Sequence, residues 1–263
     1  MEKLAKLKKN SLKTAVGLAV FTPVFFMIAA LGTKVGLWGW EFGFKKMVMN
    51  YGIKLMLLTL VVAIIALAFS VLIKPRSKSW IVALLALAVP VMGIGYGRKV
   101  KAKVAELPYI HDITTDTQDV PMFTDAIISA RGEGSNSLKY VGKIDQRSKQ
   151  LVSVEQAAYE DVRTLILSQS PDMVHDKSVA TLKNMGLKIV TNAKEDGIIE
   201  ATYTSFWFGF KDDMIVRIKP GQGGGSVVDA RSISRVGGSD IGKNAARIVT
   251  FNKALQKALK PAK

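Results

Sequence analysis

The chain contains no cysteine, so disulfides, thiolate chemistry and cysteine-based metal sites are all excluded. Histidine is nearly absent too. His111 and His175 each precede an aspartate and form no Ser-His-Asp or Cys-His set that nucleophilic catalysis would need. Acidic residues are scarce in the first 103 positions, where Glu2 and Glu41 face 16 Lys/Arg, a local balance of +14. The remaining 160 residues are close to neutral, with 21 Lys/Arg against 19 Asp/Glu. The formal charge of +16 therefore belongs to the flanks of apolar segments, where it fixes orientation, and not to a nucleic-acid surface.

Three runs lack any charged residue or histidine: Thr14–Gly32, Leu55–Ile73 and Trp80–Gly97. Each approaches the roughly 20 apolar residues that a helix needs to cross a bilayer. Pro23 in the first run, and Pro90 with Gly93, Gly95 and Gly97 in the third, are tolerated in membrane helices packed on neighbours. The first run is long for a signal-peptide core and lacks a small-x-small cleavage site, so it is expected to remain as a helix. With no ionisable residue inside a span, an intramembrane proton or ion relay is excluded. Between the first two runs, Trp38, Trp40, Phe42 and Phe44 suggest a short helix or loop lying at the bilayer surface. Five N-terminal lysines and the basic connection Lys74–Ser79 oppose an equal number of positive residues on the other side. Dominance of the first helix favours an N-terminus inside, and residues 104–263 outside the cytoplasm, which in a Gram-negative cell is the periplasm.

The expected organisation is a three-helix membrane anchor over residues 1–103 and a soluble α+β domain over 104–263. Residues 106–149 are turn-rich and read as extended or irregular. Val154, Ala158, Val162 and Leu165–Ile166 recur at helical spacing. A second helix is punctuated by Ser170 as N-cap, Pro171 at the first helical position and Gly186 as stop. The period then changes to two. Leu187–Lys194, Gly197–Phe206, Met214–Lys219 and Ser226–Arg235 read as a four-stranded antiparallel meander, with one turn over 209–213. A last helix, Lys243–Lys260, carries Ile248, Phe251, Leu255 and Leu259 on one stripe and is expected to lie across the sheet. Helices then occupy one face of the meander.

The candidate chemistry lies in the C-terminal third. Asp212, Asp213, Arg231, Ser232, Ser234, Arg235, Asp240, Asn244 and Arg247 form a polar cluster around a glycine-rich turn that feeds the last helix. Gly237 to Lys243 has the G-x4-G-K spacing of a phosphate loop, followed by Asn244 where Ser or Thr is required. About 20 residues remain after it, too few for the parallel sheet of a nucleotide hydrolase. A helix N-terminus with three arginines suits a phosphate, a sulfate or a lipid headgroup. The structural alternative pairs the three aspartates with those arginines and leaves Asp240 to cap the helix. No residue is assigned as catalytic, no metal site is expected, and no cofactor is implied. His175 is expected on the solvated side of its helix. Alternation is expected to bury some of Phe206, Trp207, Phe208 and Phe210 in the core, with the rest lining a pocket or touching the bilayer.

The segments IHDITTD (110–116), EATYTSFWFGFKDDMIVRI (200–218) and DARSISRVGGSDIGKNAARI (229–248) resemble an uncharacterised family, the domain of unknown function 1499. The resemblance covers roughly residues 108–258. Three spans ahead of such a domain look like the bacterial inner-membrane branch of that family. It implies no established activity. His111, Asp112 and Asp116 join the C-terminal cluster as residues at the family's motif positions. Two functions fit: an integral membrane protein whose extracytoplasmic domain binds an anionic or lipidic ligand or an envelope protein, or an envelope hydrolase or transferase using Asp212 or Asp213 with Arg231 and Arg235. The bilayer is a partner in either case, and nucleic acid is not.

Overall fold

The computed structural model describes residues 2–74, 78–145 and 147–260. It divides into two compact units, one made of Met1–Ala102 with Phe206–Gly209, the other of Lys103–Ser205 with Phe210–Lys263.

In the first unit, three helices are long and apolar enough to cross a membrane. They are α1 (Glu2–Lys34), a second helix that starts as a π-helical stretch over Glu41–Gly52 and continues as α2 (Ile53–Leu72), and α3 (Ser79–Glu106). Phe42 and Phe44 thus belong to the second helix itself, in place of the separate surface segment their sequence suggested. Pro75, Arg76 and Ser77 of the basic connection lie outside the described residues. Alanines make the helix contacts: Ala15 and Ala19, Ala63 and Ala66, Ala83 and Ala86 are all buried. Between membrane helices, small side chains let backbones approach closely enough for dispersion to hold them. The Thr22 and Thr59 hydroxyls meet at 2.9 Å between α1 and α2. After α1, the Trp38 indole N–H reaches back to the Ala29 carbonyl at 3.2 Å and the Thr33 hydroxyl at 3.1 Å. A Cβ on Gly32 would overlap that indole, so only glycine admits the ring there.

The second unit is α+β. Strands β3 (Lys188–Ala193), β4 (Ile198–Thr204), β5 (Lys211–Pro220) and β6 (Ser226–Ser234) form the antiparallel meander. Two three-residue strands, β1 (Asp112–Thr114) and β2 (Leu165–Leu167), lie end to end along the free edge of β6 and complete a six-stranded sheet. Both escaped the sequence pattern because three residues carry no period. The helical spacing at 154–166 yields only α5 (Val152–Glu155) and a 3-10 turn (Gln156–Ala158), and Leu165–Ile166 is strand. The segment before it holds β1 and α4 (Asp125–Ala130) and is otherwise irregular.

Helix α6 (Pro171–Asn184) starts with Ser170 at its N-cap and stops in a Schellman arrangement. The Leu187 N–H bonds the Leu182 carbonyl at 3.1 Å and the Gly186 N–H bonds that of Lys183 at 2.9 Å, with Gly186 at φ +80. Helix α7 (Lys243–Ala258) buries Ile248, Phe251 and Leu255, with Leu259 just beyond. Both helices pack on one face of the sheet, against Ile113, Ile199, Ala201, Met214, Val216, Ile218, Val228 and Ala230. Side chains in a strand alternate between faces. The intervening residues therefore point to the other face, which a smaller core of Phe123, Ile127, Ile215 and Ile233 covers.

Candidate functional site

Asp212 and Asp213 were expected in a turn over 209–213. They stand instead at the start of β5, opposite Ser234 and Ile233 of β6. Alternation sends their carboxylates to opposite faces, and the polar cluster splits in two along that division.

On the helix face, Asp212 accepts from Arg247 Nη2 at 2.6 Å. Arg247 lies over the Tyr203 ring, 4.7 Å from its centroid, and its Nη1 donates to Ser232 Oγ at 3.0 Å and to the Asn244 side-chain oxygen. Asn244 accepts from Ser232 Oγ at 2.7 Å and donates to Ser234 Oγ at 3.0 Å and the His111 carbonyl at 2.9 Å. Asp240 lies just outside α7 and accepts from the Gly242 and Asn244 backbone N–H groups at 2.9 and 2.6 Å. It thus satisfies donors that a helix start leaves free. Burial pushes its carboxyl up to about 6, against the lowering effect of those two N–H groups. Ile241 beside it adopts φ 55, a left-handed conformation that a β-branched residue rarely takes.

On the opposite face, Arg231 is 0 % exposed. It holds Asp112 bidentately, both contacts at 2.9 Å, donates to the Pro121 and Leu138 carbonyls at 3.1 and 2.6 Å, and lies between the Phe123 and Tyr140 rings. Asp213, also 0 % exposed, is clamped by two arginines. Arg131 Nη1 reaches it at 2.7 Å, Arg235 at 2.8 and 3.0 Å, and the Thr202 hydroxyl at 2.8 Å. The second arginine also donates to the Ala130 carbonyl. Charges removed from water this far persist only when paired and hydrogen-bonded, and here both oxygens of each carboxylate accept from arginine. Asp116 lies elsewhere. It accepts the Gln118 and Asp119 N–H groups at 2.9 Å each and faces Arg217, which pairs with Asp229 at 3.0 Å.

His111 sits at the edge of this second half. Its Nδ1 lies 3.1 Å from the Gly238 carbonyl. A carbonyl only accepts, so Nδ1 carries the proton and Nε2 is left to accept from Lys143 Nζ at 3.0 Å. Burial, and then Lys143, push the His111 imidazolium pKa down. Burial also lowers that of Lys143, with Arg231 and Arg131 adding to the effect and Asp112 opposing it. Among the described residues no carboxylate lies within ion-pair distance of Lys143, because Asp112 and Asp213 are already held by arginines. Lys143 is carried on a loop that exposes Val141, Ile144 and Leu151. Arg131 and Lys143 were missed in the sequence because their partners are remote, 82 residues away for Arg131 and Asp213, and Thr202 because its pairing with Asp213 depends on the register of the β4–β5 hairpin.

His175 lies elsewhere and corrects the expectation of a solvated residue. It is 2 % exposed, and neither ring nitrogen makes a hydrogen bond of ordinary geometry. Phe206 and Trp207 are exposed, not packed in the core. Among the described residues, no group of three or more His, Asp or Glu could hold a metal ion.

No curated protein matches the chain. A family model described as a protein of unknown function, DUF1499, matches residues 112–255, which contain all six strands and the residues of both halves of the cluster apart from His111. That match spans more than half of the sequence, and the chain belongs to the DUF1499 family.

Proposed function

We propose that this protein is a membrane-anchored binding domain that takes an anionic group at the Lys143–His111 edge of its sheet. One observation carries the reading: a partly buried ammonium with no carboxylate partner among the described residues, hydrogen-bonded to a neutral imidazole and backed by Arg131 and Arg231. An anion there would supply the missing counter-charge through charge-assisted hydrogen bonds. The exposed apolar residues on the same loop suit an anion with an apolar body, as a lipid has, and an envelope protein presenting an acidic group is the other source. Multi-pass residence in a bacterial inner membrane, with the domain on the periplasmic side, belongs to this reading. A hydrolase or transferase needs a carboxylate free to meet substrate, whereas Asp213 is enclosed by Arg131, Arg235 and Thr202, and Asp212 is paired with Arg247.

Thermal unfolding of the full-length protein in detergent, with inorganic phosphate titrated at constant ionic strength, tests the reading. The expected result is a midpoint that climbs with phosphate and a flat response in Lys143→Gln. A wild-type midpoint that ignores phosphate would overturn it.

A further inference from the structure

The β4–β5 hairpin ends in Ser205–Phe210, and its tip presents Phe206 at 69 % and Trp207 at 51 % exposure. The turn is closed by the Ser205 N–H on the Phe210 carbonyl at 2.8 Å and the Phe210 N–H on Ser205 Oγ at 2.9 Å. The two rings meet edge to face, 5.2 Å apart at 84°. These aromatics are held outward by a hydrogen-bonded turn, with the Lys34 ammonium 4.6 Å from the Phe206 centroid, and the apolar surface they expose to water is unfavourable unless an apolar environment takes it up.

Connectivity identifies the partner. Only Leu107–His111 separates the end of α3 from β1, a linker of at most about 18 Å when fully extended. Asp112 pairs with Ile233, Ile233 with Asp213, and Asp213 with Thr202, so the chain joins the sheet at the end where the hairpin tip projects. The tip segment Phe206–Gly209 groups in one compact unit with the three apolar helices. Its exposed residues, Phe206 and Trp207 with Lys211 close behind, are of the kind that settle at headgroup level, with rings toward the acyl chains and a cation toward water.

We propose that the Phe206–Trp207 tip inserts into the interfacial layer of the bilayer that the three helices cross, giving the domain a second point of attachment. This inference does not depend on the anion-binding reading. The absence of cysteine permits a direct test. Trp207→Cys in the full chain is labelled with a nitroxide, in vesicles of phosphatidylethanolamine and phosphatidylglycerol. Its collision rates with oxygen and with a water-soluble nickel chelate are compared with those of Ile166→Cys, at an exposed position of β2 toward the opposite end of β6. The expected result is an oxygen-to-nickel ratio several-fold higher at 207 than at 166. Equal ratios would place the tip in water, and protection from both reagents would place it against protein. Either outcome overturns the proposal. Phe206→Cys repeats the measurement should the tryptophan variant fail to fold.

Discussion

Asp212 and Asp213 are neighbours in sequence and lie on opposite sides of the sheet, the first 2.6 Å from Arg247 and the second 2.7 Å from Arg131. A single peptide unit thus carries two ion pairs into two different cores. The Asp213 side is dry, whereas Asp212 and Arg247 remain partly open to solvent.

The consequence is a contrast between adjacent variants. Asp213→Asn leaves two buried guanidinium groups without their counter-charge and should lower stability by roughly 3–5 kcal/mol. Asp212→Asn keeps most of its packing and leaves a single guanidinium that still donates to Ser232 and Asn244, so a smaller loss of about 1–3 kcal/mol is expected. Chemical denaturation of the full chain in one detergent compares the two. Equal losses would contradict the division of the cluster.

Arg231→Met should be as damaging as Asp213→Asn, because it strands Asp112 in a dry site. The double variant Arg231→Met with Asp112→Leu should regain a large part of that loss, since an apolar pair of similar volume needs no counter-charge. A double variant no better than the worse single one would show that the carbonyls of Pro121 and Leu138, which Arg231 also satisfies, dominate.

His175 predicts an acid-sensitive stability. Its folded pKa lies below the unfolded value because burial penalises the imidazolium more than the nearby Ile198 backbone and Asp176 favour it. The unfolded chain therefore binds the proton more readily, and stability falls as pH drops through about 6.5. His175→Leu should flatten that slope without lowering the melting temperature at neutral pH, since it also removes two buried nitrogens that make no hydrogen bond of ordinary geometry. Any slope that remains combines that of His111, whose pKa is lowered as well, with the opposite contribution of Asp240.

Asp240 works in the opposite direction. Its folded pKa of about 6 exceeds the unfolded carboxylate value, so its contribution is fully present in acid and is lost as pH rises through 6. Asp240→Asn should remove that dependence, while Asp240→Ala should cost about 1–2 kcal/mol at neutral pH by abandoning the Gly242 and Asn244 N–H groups. Thermal melts from pH 4 to 8 separate the two effects.

Orientation has its own test. Glu133→Cys, at an exposed position, should react with an impermeant maleimide on intact cells. Protection that disappears on lysis would place the domain in the cytoplasm and overturn the proposed topology.

Much of this architecture was legible in the sequence because its signals are local. The three apolar runs, the Ser170-Pro171 start and Gly186 stop, and the alternation Met214, Val216, Ile218 each need only neighbouring residues to be read. The polar residues of β5, β6 and α7 could be singled out as a group for the same reason. Their partners were not, because Arg231 and Asp112 are 119 residues apart and Lys143 approaches His111 from a loop with no periodicity. His175 shows the limit most clearly. A histidine on a helix with polar neighbours reads as solvated, and only the packing of α6 on the sheet encloses it.

The pairing of β6 with both β1 and β2 also sets an order of events in biosynthesis. Residues 226–234 bind strands made more than fifty residues earlier, so Asp112, His111 and the whole edge of the sheet must wait until nearly all of the chain has been made. Closing so long a loop is slow, and the waiting segments carry unpaired charge. A nascent chain that already has three apolar helices thus holds an unfinished domain until its last strand arrives, and a truncation that spares every span but removes β6 would leave a membrane-inserted protein that quality-control proteases recognise as unfolded.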